Sequence, residues 1–477
     1  MTPMKVFLET FGCQMNILDS ELIEGQLLQA GHNLVSDPKE ANVVLLNTCS
    51  VRNLSEHKVL SRLGILKDRK SKGEKIVVGV LGCMAERAHD DLLKNKSVID
   101  VMIGPSKIHE TKELVEKAFY SDTLIQPQKS LSYFVNRKGK SETALMSPLD
   151  SLEALDRLRP LNTEKNNFQA YVRITRGCNK FCSFCVVPRT RGPEMHRPLQ
   201  SIIDEVKKLV DNGAMEVTLL GQTINHYFFE ENNKRYSFAD LLFRVHEEVK
   251  HLPRLRFLTS YPKDFSDEAL DVMRDCERIC KYLHVPAQSG SNKVLKEMNR
   301  GYDIETYLSF IERAKSRMPN INIIGDMIVG FPNESEDDFN QSLDLLRKVQ
   351  YKNVFVFKYS PRPNTIANKN LPDNIPWDVK KLRNNQMLEV QNEISLRMNE
   401  NMIGKEFKVL CDSLAKIDKA PDGLVSLRNK KNLITLTARS EGDHIIHFNG
   451  PKELIGKIVT VKITQARQLS LSGELLA

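Results

Sequence analysis

Nine cysteines are spread over 477 residues, and three of them fall within eight positions. Cys178, Cys182 and Cys185 form a C-x3-C-x2-C string inside Arg176-Gly177-Cys178-Asn179-Lys180-Phe181-Cys182-Ser183-Phe184-Cys185. A zinc site usually pairs C-x2-C knuckles and completes itself with a fourth ligand. No fourth ligand lies near this string. Three thiolates on a four-iron cubane leave one iron open to bind something else, so the spacing suits an iron–sulfur cluster better than zinc. Gly177 and the short polar residues let the backbone wrap such a cluster, and Phe181 and Phe184 can shield it. The alternative is three buried free cysteines that happen to be close.

A second set emerges from the elements that must carry it. The first 120 or so residues read as strand–helix units: Lys5–Thr10 then Ile17–Ala30, Asn42–Asn47 then Val51–Lys67, Ile76–Leu81 then Ala85–Lys94, and Val101–Ile103 then Lys107–Phe119. That alternation predicts a doubly wound parallel sheet. Cys13, Cys49 and Cys83 follow the first three strands at intervals of 36 and 34 residues. Strand ends at the carboxyl edge of such a sheet converge on its ligand crevice, so these three should meet and form a second three-thiolate site. Three ordinary small residues at strand ends would be the plainer reading.

Between Ser121 and Lys165 the periodicity fails, and a linker with a short helix near Ser151–Leu158 is expected. Six further units follow, with strands at Ala170–Thr175, Glu216–Leu220, Arg254–Thr259, Tyr282–Val285, Ile321–Val329 and Asn353–Lys358. Their helices fall near Ser201–Asn212, Phe238–Lys250, Asp267–Arg278, Ile304–Arg317 and Glu336–Val349. Six units suit an incomplete β/α barrel, and the cysteine loop falls after its first strand, at the face where barrel chemistry sits. A polar helix near Val379–Met402 leads to short alternating strands at Glu406–Cys411, Leu424–Leu427, Ile434–Arg439, His444–Phe448 and Ile458–Gln465. These read as a small β-barrel, a shape often used to bind nucleic acid, or as a passive cap. The division expected is therefore 1–121, a linker at 122–163, a barrel at 164–398 and a terminal module at 399–473.

Composition sets outer limits. A 41% apolar content supports real cores and excludes a disordered chain or a disulfide-stapled miniprotein. Runs such as Val43–Leu46 are far shorter than the ~18 residues of a bilayer span, and Met1–Cys13 lacks the apolar stretch of a signal peptide. Free thiols in odd number then point to the reducing cytoplasm. The net charge of +8 suits either solubility or a polyanionic partner such as RNA. A basic run at Arg428, Lys430 and Lys431 beside an expected strand suits phosphate contacts.

The C-x3-C-x2-C loop resembles that of radical S-adenosylmethionine (SAM) enzymes. With the three upstream cysteines and the terminal β-barrel, nearly the whole chain is similar to the methylthiotransferase family. The matching stretches are Gly12-Cys13-Gln14-Met15-Asn16, Asn47-Thr48-Cys49-Ser50-Val51-Arg52, Gly82-Cys83-Met84-Ala85, Arg176–Gly192, Leu220-Gly221-Gln222, Leu283–Ser291 and Tyr359-Ser360-Pro361-Arg362-Pro363. The Gln-Met-Asn after Cys13 and the Ser-Val-Arg after Cys49 resemble the branch that acts on isopentenyladenosine in tRNA.

The resemblance implies two 4Fe-4S clusters, one on each cysteine triad. The open iron of the barrel cluster would chelate SAM and reduce it to methionine and a 5′-deoxyadenosyl radical, which takes hydrogen from carbon 2 of an adenine beside the anticodon. The auxiliary cluster on Cys13, Cys49 and Cys83 would hold the sulfur to be transferred, methylated from another SAM. Carbon 2 is unactivated, so the cofactors must carry the hard chemistry. An electron donor such as a flavodoxin or ferredoxin, a sulfur donor and the tRNA anticodon stem-loop are implied partners, with the terminal barrel, TRAM-like, gripping the RNA.

The resemblance also places Gly221 and Gln222 where radical SAM enzymes bind the SAM amino group, although their usual Gly-Gly-Glu is not intact here. Gln288-Ser289-Gly290 and Gly330-Phe331-Pro332, at the ends of the fourth and fifth strands, suit the ribose and adenine, or else are ordinary turns. Arg189 and Arg191 either reach a carboxylate or phosphate or are solvated. Cys276 and Cys280, at i and i+4 of an expected helix, suit helix packing rather than a metal, and Cys411 suits a strand core. His284 reads as a hydrogen-bonded core residue rather than a base. No G-x-S-x-G elbow or P-loop is present. Relatives acting on threonylcarbamoyl-adenosine tRNA or on an aspartate of a ribosomal protein, and a non-catalytic iron–sulfur protein for electron transfer or RNA binding, are the alternatives.

Overall fold

The computed structural model describes residues 2–50, 53–88, 92, 98–120, 144–145, 156, 159, 168–415 and 434–476. Its N-terminal sheet has five parallel strands in the order Asn33–Leu34, Lys5–Phe11, Val43–Thr48, Val77–Gly82, Val101–Ile103. The two central strands Val43–Thr48 and Val77–Gly82 are buried throughout, as near-continuous apolar runs require when both faces are covered. Helices Gln14–Gln29 and Thr111–Tyr120 cover one face, and Asn53–Ser71 the other. The edge strand Asn33–Leu34, two residues long, carries no period that could announce it. The helix expected at Lys107–Phe119 divides into a 3-10 turn over Pro105–Glu110 and an α-helix from Thr111.

The six expected barrel strands all form, in two parallel three-stranded halves. Arg254–Phe257, Glu216–Leu220 and Gln169–Arg173 make one half, and Tyr282–His284, Asn322–Val329 and Asn353–Lys358 the other. A bridge between Leu255 and Ile279, and the Ser260 N–H donating to His284 O at 2.8 Å, join the halves into one open barrel. The side-chain period of two then decides what each residue does. Val172, Val217, Leu255, Leu283, Ile323 and Val354 point outward into the main core beneath the helices, while their neighbours point inward.

Three departures have local causes. A hairpin, Phe228–Glu231 with Lys234–Ser237, interrupts the unit after the second barrel strand. Helix Asp267–Asp275 stops before Cys276, so Cys276 and Cys280 do not share a helix face. Cys280 lies instead in an extended segment whose N–H donates to Leu255 O at 2.9 Å, and it packs inside the barrel on Tyr282 and Ile324. The linker supplies a two-residue strand, Ala144–Leu145, paired with Met195–His196; the helix expected near Ser151–Leu158 lies outside the described residues except at Asp156.

The terminal module closes as a five-stranded barrel of Glu406–Leu414, Ile434–Ser440, Ile445–Gly450, Leu471–Leu475 and Ile458–Ala466. Its strand Leu471–Leu475 runs past residue 473, and the strand expected at Leu424–Leu427 lies outside the described residues. Cys411 is fully buried in its core. The module seals the amino-terminal mouth of the large barrel: Arg254 donates to Arg439 O and Lys408 O, each at 2.7 Å, Arg256 donates to Ser440 O at 3.2 Å, and Lys352 donates to Asp443 O. Among the described residues no helix is long and apolar enough to cross a membrane.

Candidate functional site

Cys13, Cys49 and Cys83 stand at the carboxyl ends of Lys5–Phe11, Val43–Thr48 and Val77–Gly82. The first two ends flank the switch in strand order, where an open α/β sheet parts into a crevice. Two glycines permit the close approach. A Cβ on Gly12 would meet Cys49 Cβ at 2.8 Å, and one on Gly82, at φ +85°, would meet Thr48 O at 2.7 Å. Asn16 and Asn47 stitch the loops together: Asn16 Nδ2 donates to Asn47 Oδ1 at 3.1 Å, and Asn47 Nδ2 donates back to Asn16 O at 2.9 Å. The motif letters around these cysteines thus build the crevice itself; Val51 and Arg52 lie outside the described residues.

The thiols of this triad differ in character. Cys13 caps helix Gln14–Gln29, and its sulfur sits at the positive end of the helix dipole. A hydrogen bond with Cys49 brings it down to about 6 despite burial, helped by the Arg191 guanidinium and the backbone N–H groups of Asn16 and Met15. Burial pushes Cys83 up, with Arg191 opposing.

Cys178, Cys182 and Cys185 occupy one loop after the first barrel strand. Gly177 has φ +70°, and a Cβ there would stand 1.9 Å from Pro193 O, so no other residue fits. Phe181 is left-handed at φ 49°, held by Asn299 Nδ2 donating to its carbonyl at 3.0 Å. Ser183 Oγ donates to Glu297 O at 2.8 Å, and Phe184 packs edge-on against Phe331 at 6.4 Å between ring centroids. Each thiol meets a protein group. Thr223 Oγ1 lies 3.5 Å from Cys178 Sγ, Arg300 Nη1 donates to Cys182 Sγ at 3.3 Å, and the Val187 N–H donates to Cys185 Sγ at 3.4 Å. Burial pushes Cys178 and Cys185 upward.

The remaining expected residues divide by what they touch. Gly221 is packed so closely that a Cβ would meet Thr175 Oγ1 at 2.5 Å, while Gln222, next in chain to the Thr223 that meets Cys178, stays partly exposed. Gln288, at φ +75°, is also partly exposed. Ser289 and Gly290 are turned into helix Glu336–Val349, where the Gly290 N–H donates to Ser342 Oγ at 2.8 Å. Gly330 is crowded by Lys380, and its N–H donates to Glu334 Oε2 at 2.7 Å. These contacts fix the loops that carry the three residues. Arg189 is exposed, whereas Arg191 is buried and paired with Asp19 at 2.9 Å. Residue spacing gave no sign of Arg300, which reaches Cys182 from a distant turn. Arg362, in the quoted Tyr-Ser-Pro-Arg-Pro stretch, reaches Glu56 at 3.4 Å beside Cys49, a role its motif did not disclose.

The inner face of the barrel meets the N-terminal domain along part of its surface. Tyr171, Leu220 and Leu258 on the first half are covered by the core of the N-terminal domain. On the last strand Phe355 and Phe357 remain 47% and 39% exposed. Phe355 sits 6.4 Å from the His284 ring, and His284 Nε2 lies 3.2 Å from Asp326 Oδ1. His284 is therefore hydrogen-bonded, as expected, and faces inward. The donor set fits iron–sulfur chemistry: six thiols in two cradles that glycines alone allow to close. Among the described residues no group of His, Cys, Asp and Glu surrounds a single metal ion, and thiolates that each take a different iron need not converge as ligands of one ion do.

Three family models match successive parts of the chain. Residues 5–104 match the model described as Uncharacterized protein family UPF0004, residues 172–346 the Radical SAM superfamily, and residues 428–476 the TRAM domain. A protein of Rhodopirellula baltica named tRNA-2-methylthio-N(6)-dimethylallyladenosine synthase is 37% identical over 98% of this chain and 95% of its own length. One of the same name from Phocaeicola vulgatus is 38% identical, covering 98% and 95%. Among solved structures, the radical SAM methyltransferase TsrM from Kitasatospora setae, with cobalamin and a 4Fe-4S cluster bound, superposes at a TM-score of 0.52. That match covers 76% of this chain and 74% of the other, at 14% identity, and is a likeness of fold.

Proposed function

The chain belongs to the methylthiotransferase family of radical SAM enzymes, and on that premise we propose that it places a methylthio group on carbon 2 of N6-isopentenyladenosine next to the anticodon of tRNA. The observation that carries this reading is the pair of cysteine triads, one wrapped at the top of the barrel and one gathered at the crevice of the neighbouring sheet. Bound on these triads, two 4Fe-4S clusters with SAM would supply the radical that removes the hydrogen and the sulfur and methyl that replace it.

The protein's own part is to hold, orient and exclude. Gly177, Phe181 and Ser183 fix the loop that presents Cys178, Cys182 and Cys185. Gln222 and Gln288, partly exposed after the second and fourth barrel strands, would contact SAM. Phe355 and Phe357 offer the adenine and its isopentenyl group apolar surface inside the barrel; stacking of a base on an aromatic ring is worth ~1–3 kcal/mol. Residues 1–121 would carry the auxiliary cluster, 164–398 SAM cleavage and 399–473 the grip on RNA. An acidic, one-electron donor of the flavodoxin or ferredoxin kind would reduce the barrel cluster, in a cytoplasmic setting.

Nucleoside mass spectrometry of tRNA from a strain lacking the gene tests the reading. The 2-methylthio nucleoside should vanish and isopentenyladenosine accumulate. An unchanged isopentenyladenosine branch with loss of another methylthio nucleoside would reassign the substrate.

A further inference from the structure

The auxiliary triad is not finished by its own domain. Asp19, on helix Gln14–Gln29, is 1% exposed and receives two arginines from the barrel domain. Arg173 Nη1 reaches its Oδ1 at 3.4 Å, and Arg191 Nη2 donates to its Oδ2 at 2.9 Å. Arg173 is mainly engaged elsewhere, with Asp156 Oδ1 and Oδ2 at 2.7 and 2.8 Å. Arg191 is not. It follows the short helix Val187–Thr190 directly after the barrel's cysteine loop, and that helix packs on Cys83–Arg87. The Arg191 guanidinium then lies against the Cys83 thiol with Cys13 in its field, while the Asp19 carboxylate stands behind it. Burying a guanidinium costs several kcal/mol unless it is paired. Asp19 supplies that pair, so the cation is held beside the thiols. Arg189, two positions earlier, is exposed and has no such setting.

Resting on the reading of Cys13, Cys49 and Cys83 as cluster ligands, we propose that Arg191 is the positioning residue of the auxiliary site, a cation lent by the radical SAM domain that orients Cys83 and Cys13 and sets the reduction potential of the group they hold. A fixed positive charge beside a buried cluster stabilises its more negative, reduced form, and so raises its potential. The charge behind it works the other way: Asp19 lowers the potential that Arg191 raises.

The test uses the full-length chain with Cys178, Cys182 and Cys185 all changed to Ala, reconstituted with iron and sulfide under anaerobic conditions. Iron per chain and a redox titration followed by electron paramagnetic resonance are the readouts. Arg191→Gln should shift the potential downward, Arg191→Lys should stay near the parent, and Asp19→Asn should shift it upward. A residue that merely props up the fold would not give opposite signs for the two partners of one ion pair. Equal potentials in parent, Arg191→Gln and Asp19→Asn proteins overturn the proposal. If Arg191→Gln fails to hold iron, Arg191→Lys and Asp19→Asn still decide by the same titration. Cys83→Ala in the same background separates the two levels. Retention of its full iron would defeat the cluster reading itself, whereas loss of iron there with unmoved potentials in the arginine and aspartate variants would defeat this proposal alone.

Discussion

Cys178, Cys182 and Cys185 are neighbours in sequence and are held by one contorted loop, whereas Cys13, Cys49 and Cys83 are strangers in sequence gathered by a sheet. The loop depends on a few backbone oddities: Gly177 and Phe181 with positive φ, and Ser183 and Asn299 pinning the turn. The sheet triad depends on ordinary strands that end in the right order, with glycines and two asparagines closing the gap. A site of the first kind can be destroyed by one local residue. A site of the second kind shares its stability with the domain that presents it.

The largest effect should come from dividing the triads by function. Any of Cys178→Ala, Cys182→Ala or Cys185→Ala should abolish formation of 5′-deoxyadenosine by reduced protein, measured by liquid chromatography. Cys13→Ala, Cys49→Ala or Cys83→Ala should preserve that cleavage and lose the methylthio product. Each triad removed should take about half the iron, which assumes two four-iron clusters. Normal product from Cys49→Ala would erase the distinction between the triads.

Next come the glycines. Gly177→Ala must both adopt a strained φ and avoid a carbonyl that its Cβ would overlap, so the loop should open at a cost above the ~1–3 kcal/mol of backbone strain alone. SAM cleavage should fall below detection while the auxiliary iron remains. Gly82→Ala should reverse the pattern. Loss of both clusters in either variant would mean that the sites fold as one unit.

The module that holds neither triad sharpens the contrast further. Reversing charge at Arg428, Lys430 and Lys431, which lie outside the described residues, should weaken tRNA binding and flatten its fall with rising salt, measured by anisotropy at several salt concentrations. SAM cleavage should be untouched. Deleting residues 401–477 is a poorer experiment, because it would strip Arg254 and Arg256 of carbonyl partners inside the barrel.

The smallest effect concerns pH. Burial pushes His444, in the seam of this module, and His196, under the hairpin, from the ordinary 6.5 down to about 3. Between those values the unfolded chain binds protons that the folded chain refuses, so stability is fully present above about 6.5 and declines as pH falls through this window. His444→Asn should flatten the decline of the melting temperature, as followed by calorimetry. An equal slope in the variant would place the acid sensitivity elsewhere.

Much of this was legible in the residues. The six barrel strands declared themselves by apolar runs with helical stretches between, and the three upstream cysteines by equal placement after their strands. The hairpin at 228–237 leaves one faint mark in the sequence, the adjacent Asn232 and Asn233, both at the positive φ that a tight hairpin turn needs. The helix periodicity runs on through Arg278, whereas the chain leaves the helix at Cys276 to pair with Leu255, which takes Cys276 and Cys280 off a common helix face. Sequence alone names Arg191 with Arg189 and cannot separate them, and it gives no sign of Arg300, since what singles out Arg191 and Arg300 is a thiol brought near by tertiary folding. The Gln-Met-Asn string taught a related lesson: Met15 and Asn16 are buried and structural, so part of what resembled a substrate signature is scaffold.

On the module's side of its seam with the barrel, the hydrogen-bond acceptors are mainly main-chain carbonyls, beside one contact of Lys352 with the Asp443 carboxylate at 3.9 Å. Arg254, Arg256 and Lys352 donate to the carbonyls of Lys408, Arg439, Ser440 and Asp443. A carbonyl is present whatever side chain its residue bears. The module's outward surface is thus free to drift in sequence, and to be retailored to other RNA shapes, without loosening its mooring. Evolution could alter which nucleic acid is held while leaving the reaction chamber beneath it undisturbed.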